Sequence, residues 1–185
     1  MTKLMNARHC LLVLYLLNAS PSVASDPSPP PRGMEAPAIN IKGNKFTAGE
    51  RVEKVFPGVS FIVPPGWNAV QPEGEDIVLL GSNKVTALGY VFVSSTPEEQ
   101  DWEKRLNEPI PFMHRLLNPS ARATHDKNIW KNTFVDTEDP NYVGWGVVLV
   151  SKSETNVIYL LECDSFVKMH CEQTMEYLIH TTRTN

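Results

Sequence analysis

Two runs in the second half of the chain, "VGWGVVLVS" (Val143–Ser151) and "NVIYLLEC" (Asn156–Cys163), carry apolar side chains at both odd and even positions. Successive side chains of a strand point to opposite faces, so such strands are apolar on both and need cover twice. The short polar stretch "KSET" between them predicts an antiparallel hairpin, with strands at Val143–Ser151 and Thr155–Cys163. In "TALGYVFVSS", Ala87, Gly89, Val91 and Val93 fall on one face while Leu88, Tyr90 and Phe92 fall on the other. That segment has the character of a third central strand. Shorter β-rich runs at Val59–Val63 and Asp76–Leu80, each halted by Pro or Gly, and at Asn128–Val135 complete the sheet expected from the sequence.

Helices are needed to cover it. Thr96-Pro97-Glu98-Glu99 combines a threonine cap, proline at the first helical position and a glutamate three residues after the cap, which predicts a helix over 97–107 with Trp102 and Leu106 on one stripe. Between Pro111 and Pro119, "FMHRLL" (Phe112–Leu117) reads as a second helical turn or two. At the C-terminal end Val167, Cys171, Met175, Leu178 and Thr182 recur every three or four residues, the pattern of an amphipathic helix, with Asp164 and Ser165 as its N-terminal cap. The expected class is therefore α+β, a single domain over 51–185 with a mainly antiparallel sheet flanked by helices.

What precedes the domain has another character. Lys3 and Arg8 are followed by the apolar run "CLLVLYLL" (Cys10–Leu17) and by small residues at Val23-Ala24-Ser25, the order of a secretory signal peptide over 1–25. The run is too short to cross a bilayer, which takes about 20 residues. Residues 26–50 are rich in Pro, Gly and small polar side chains and read as a flexible leader. Cys10 lacks the residues of a lipoprotein processing site before it, and the one Asn-x-Ser/Thr sequon, Asn18-Ala19-Ser20, lies in the signal. A bacterial periplasm is the compartment these features favour.

Loss of residues 1–25 removes Lys3 and Arg8 and no carboxylate, taking the formal net charge from -4 to -6. An acidic chain without a basic stripe disfavours nucleic acid and favours a basic partner. For an exported chain, the remaining Cys163 and Cys171 predict a disulfide, which loop-closure arguments value at roughly 2–3 kcal/mol. With His170 they are one ligand short of an ordinary zinc site, so no metal is expected. Ser165-Phe166-Val167-Lys168 matches a β-lactamase-like Ser-x-x-Lys, but that enzyme's other elements do not occur, and no nucleophile elbow or phosphate-cradling loop is present. The sequence thus predicts a protein that is not an enzyme and needs no cofactor.

Two acidic clusters remain: Glu73, Glu75 and Asp76, and Asp136, Glu138 and Asp139. Neither follows the EF-hand spacing, and solvated loop charge is their simpler reading. As loops on a rigid sheet, both are candidate contact surfaces for a protein partner. Trp67 and Tyr142 are candidate aromatic contacts, with core packing the equal alternative.

The segment "VSFIVPPGWNAV" (Val59–Val70), a strand, Pro-Pro-Gly-Trp and another strand, resembles the opening of PsbP-like, Mog1-like and DcrB-like domains. The later order of strands, helix, three strands and a C-terminal helix agrees over about 120 residues. The resemblance implies an antiparallel sheet flanked by helices and a non-catalytic binding or accessory role. A small, exported, acidic domain also resembles, in general character, periplasmic immunity proteins that plug secreted antibacterial toxins. The functional expectation is protein–protein occlusion of this kind; the alternative is a PsbP- or DcrB-like accessory factor of an envelope complex.

Overall fold

A computed structural model describes residues 41–94, 101–113, 115–151 and 155–184. The proposed signal peptide and most of the leader lie outside the described residues.

The two doubly apolar runs form β11 (Tyr142–Val150) and β12 (Asn156–Asp164), and the third forms β6 (Ala87–Ser94). β12 lies between the other two, antiparallel to both, with Cys163 opposite Val143 on one side and Ala87 on the other. Outward from β6 run β5 (Ile77–Ser82), β4 (Trp67–Pro72) and β1 (Gly43–Phe46); outward from β11 run β10 (Ile129–Asp136), β8 (Arg115–Pro119) and β7 (Ile110–Phe112), with β9 (Thr124–Asp126) also pairing with β10. Among the described residues this makes a ten-stranded antiparallel sheet. β2 (Arg51–Phe56), β3 (Val59–Ile62) and β13 (Arg183–Thr184) form a second, small sheet.

Both faces of the large sheet are covered. On one, Val91, Trp145, Val147, Tyr159 and Leu161 pack with Phe56 and Phe61 of the small sheet and with Cys171, Met175 and Leu178. Those last three lie on α2 (Lys168–Thr181), in the spacing expected of its apolar stripe. A 3-10 turn, Ser165–Val167, leads into α2, and Asp164 caps it by accepting from the Phe166 amide at 3.0 Å. On the other face Tyr90, Phe134, Val148 and Ile158 pack with Leu106, Phe112 and Leu117. Leu106 belongs to α1 (Trp102–Leu106), capped by Asp101, whose carboxylate accepts from the Lys104 amide at 2.9 Å. The described helix starts at Trp102; the expected start at Pro97 and its Thr96 cap lie outside the described residues.

Two segments differ from expectation. Residues 43–46, read as leader, are β1, paired with β4 from Gly43↔Pro72 to Phe46↔Ala69. Of "FMHRLL", Phe112 ends β7 and residues 115–117 lie in β8 rather than in a helix, with Phe112 opposite Arg115 and Met113 in the left-handed region at φ 53°. As a strand this segment gains ladder partners on β10, Leu117 opposite Asp136 and Asn118 opposite Val135, which a local helical turn would forgo. No helix among the described residues is long and apolar enough to cross a membrane.

Candidate functional site

β8 and β12 are separated in the sheet by β10 and β11. A flat sheet would hold them about 14 Å apart, three spacings of about 4.8 Å, which is beyond the reach of one side chain. Yet Arg115 Nε on β8 lies 3.1 Å from Glu162 Oε1 on β12. Both side chains therefore extend toward each other across the sheet, and Gly144 on β11 leaves the room. A β-carbon there would stand 2.7 Å from Leu117 Cδ1 of β8.

Arg115 gathers the end of three strands. Its Nη1 donates to Asp136 Oδ2 at 2.7 Å and lies 3.7 Å from Asp139 Oδ2, while its guanidinium carbon sits 3.6 Å from the centre of the Tyr142 ring. The intervening loop is wound by its own carboxylates: Asp136 Oδ1 accepts from the Glu138 amide at 2.9 Å and Asp139 Oδ1 from the Asn141 amide at 3.1 Å. The hydrogen bond from Arg115 holds the Asp136 carboxyl below its ordinary range, against the effect of burial. Burial lowers the Arg115 pKa, but the bond to Asp136 and the charges of Glu162, Tyr142 and Asp136 together raise it. Glu162 responds the other way. Its burial pushes the carboxyl up to about 7, with Arg115 pulling down and Asp136 pushing up.

Of the residues singled out in the sequence, Asp136, Asp139 and Tyr142 are thus brought together around one cation, with Glu138 exposed beside them. Glu73, Glu75 and Asp76 are elsewhere. Gly81, Leu88, Glu162, Gly144 and Phe134 form one row across β5, β6, β12, β11 and β10, whereas Ile77, next to Asp76, stands in the row of Phe92, Ile158, Val148 and Trp130. The two acidic clusters therefore sit toward opposite ends of the sheet. Trp67 is core and has no contact surface to offer. It is fully buried, its Nε1 donates to Thr174 Oγ1 at 3.0 Å, and its ring stacks on His170.

Arg115 and Glu162 escaped sequence reasoning, although a lone carboxylate inside "NVIYLLEC" was a visible anomaly. Phe166, in the 3-10 turn, and Met169, off the buried stripe of α2, escaped it too. Phe166 is 88% exposed, Met169 71% and Leu116, next to Arg115, 53%. All three neighbour the arginine cluster through the backbone. Asp164 stands opposite Tyr142 in the β11–β12 ladder, and the Ser165 amide donates to Asn141 O at 2.6 Å. The end of the sheet thus presents apolar side chains beside Glu138, Asp139 and Asp164. Cys163 and Cys171 are buried free thiols just beneath, on β12 and α2. The Cys163 thiol is raised well above its ordinary range by its hydrogen bond to Cys171, then by burial and the nearby charges of Cys171, Asp164 and Glu162.

Among the described residues no group of three or more His, Cys, Asp or Glu is placed to hold a metal ion. Neither a protein-family model nor a curated protein matches the chain. Solved structures do. The Ran-binding protein Mog1p of Saccharomyces cerevisiae is similar over 73% of this chain and 94% of its own, at 10% identity and a TM-score of 0.49. PsbP (CyanoP) of Synechocystis sp. PCC 6803 is similar over 74% of this chain and 92% of its own, at 13% identity and a TM-score of 0.47. Both are of the families that the Val59–Val70 segment resembles.

Proposed function

We propose that the protein is a periplasmic binding protein that acts by covering another protein, and specifically an immunity protein that neutralises a secreted antibacterial toxin. The observation that carries this reading is the exposure of Phe166 and Met169 just after Asp164, at the strand end that adjoins the acidic loop of residues 136–139 through Tyr142 and Asn141. Aromatic and methionine side chains are enriched at interface centres, where a few such anchors dominate the binding energy inside a polar rim. An acidic rim selects a partner with basic residues around an apolar pocket and speeds their encounter. The scaffold beneath is rigid, since Arg115 ties β8, β11 and β12 together, so docking requires little reordering.

The test is retrieval of tagged protein from periplasm at moderate salt, followed by mass spectrometry of what stays bound, for the natural chain and for Phe166→Ala/Met169→Ala. The expected result is one stoichiometric secreted protein, lost from the double variant, and killing of cells lacking the immunity gene by their sisters. Retrieval of membrane machinery in its place, or unchanged survival of the deleted cells, overturns the immunity reading.

A further inference from the structure

Two thiols from different elements meet in the core just under the exposed Phe166. Cys163 is the penultimate residue of β12 and is 1% exposed; Cys171 lies in the first turns of α2 and is fully buried. Both belong to the same buried apolar cluster, where α2 packs on the sheet beside Met175. The seven residues between them carry the Asp164 cap, the 3-10 turn and both Phe166 and Met169.

We propose that Cys163 and Cys171 are a modification site, joined by a disulfide that clamps the first turn of α2 to the end of β12 and holds the Phe166–Met169 segment in its presenting conformation. The oxidant is a disulfide, that of a thiol-oxidising protein or of glutathione. One cysteine thiolate attacks it, breaking the oxidant's S–S bond and forming a mixed disulfide. The sulfur of the second cysteine then attacks the first, the mixed bond breaks, and the oxidant leaves as two thiols, having taken two electrons from the pair while the cysteines shed two protons.

Burial decides when this happens. In the folded chain the thiolate of Cys163 is suppressed and no oxidant reaches either sulfur, so exchange is slow. The bridge forms while β12 and α2 are still assembling, and once enclosed it is shielded from reductants. It is therefore a lasting clamp, not a reversible sensor. Orientation also agrees, because α2 docks directly on β12 with Cys163, Cys171 and Met175 in one apolar cluster.

The test needs no partner, so its failure leaves the binding reading standing, and failure of that reading leaves the clamp. The full chain carrying Cys10→Ser is refolded from the reduced state in a glutathione redox buffer, denatured without reductant and alkylated. The expected product is lighter by two hydrogens than the dithiol, takes up no alkyl group, and yields on digestion a peptide pair joined through Cys163 and Cys171. Trypsin cleavage after Lys168 in the folded protein slows by at least about tenfold relative to the Cys163→Ala/Cys171→Ala variant. Alkylation of both cysteines, or glutathione adducts in place of the internal bridge, overturns the site. Equal cleavage rates at Lys168 overturn the clamp.

Discussion

Arg115 meets Glu162 at 3.1 Å from the far side of two intervening strands, and this contact ties the outer strand β8 to the central strand β12. The pair is only partly balanced. Asp136 competes for the same guanidinium, and Glu162 keeps a carboxyl pKa of about 7.

Stability should therefore depend on pH through Glu162 in a direction opposite to that of most carboxylates. Its folded pKa stands above the ordinary 4.5, so its contribution is fully present below about pH 4.5 and is lost as pH rises through about 7. Asp136 behaves conventionally, contributing above its ordinary 3.8 and losing that contribution as the pH falls. Urea midpoints measured from pH 4.5 to 8 are expected to fall toward the alkaline end by the equivalent of about 2 kcal/mol, and Glu162→Gln to remove that slope.

Removing the cation leaves buried carboxylates without a partner. Arg115→Ala is expected to destabilise the fold by about 3–5 kcal/mol at neutral pH. Arg115→Lys, which keeps the charge but loses the forked geometry and the stacking on Tyr142, should recover only part of this, as denaturant titration of the two variants would show.

Gly144→Ala places a methyl group against Leu117 Cδ1 and the Leu161 carbonyl. The expected cost is about 1–3 kcal/mol. In Leu117→Ala the added penalty of the alanine at 144 should shrink, because its nearest obstacle is gone. A double-mutant cycle reads this coupling, and strict additivity would count against the close approach of β8 to β11.

Trp67→Ala should lower stability by about 3–5 kcal/mol through loss of a filled core site, while Phe166→Ala and Met169→Ala should stay within about 0.5 kcal/mol of the parent. Thermal unfolding of the three variants separates an aromatic that builds the fold from one that is free to bind.

The centre of the sheet was legible because β6, β11 and β12 are apolar at odd and even positions alike, a pattern that only a doubly covered strand explains. Its margins were not. Thr124-His125-Asp126 is exposed at every position and is a strand only because β10 offers a ladder edge. Arg115 to Pro119 likewise takes its conformation from β10, so a local reading favoured helix. The candidate site divides in the same way. Asp136, Asp139 and Tyr142 stood out as a loop cluster, but the arginine that organises them comes from another strand, through a sheet pairing that no local pattern encodes.

The placement of β12 between β6 and β11 has a consequence for how the chain is made. β6 gains its second neighbour only when Asn156–Cys163 has been synthesised, more than sixty residues downstream of Ser94. Until then the meander from β4 to β6 ends in an open ladder edge on a strand that is apolar on both sides, the kind of surface that recruits a second nascent chain. Pairing of Asn156–Cys163 with β6 closes that edge, so the completion of β12 is the step that removes it.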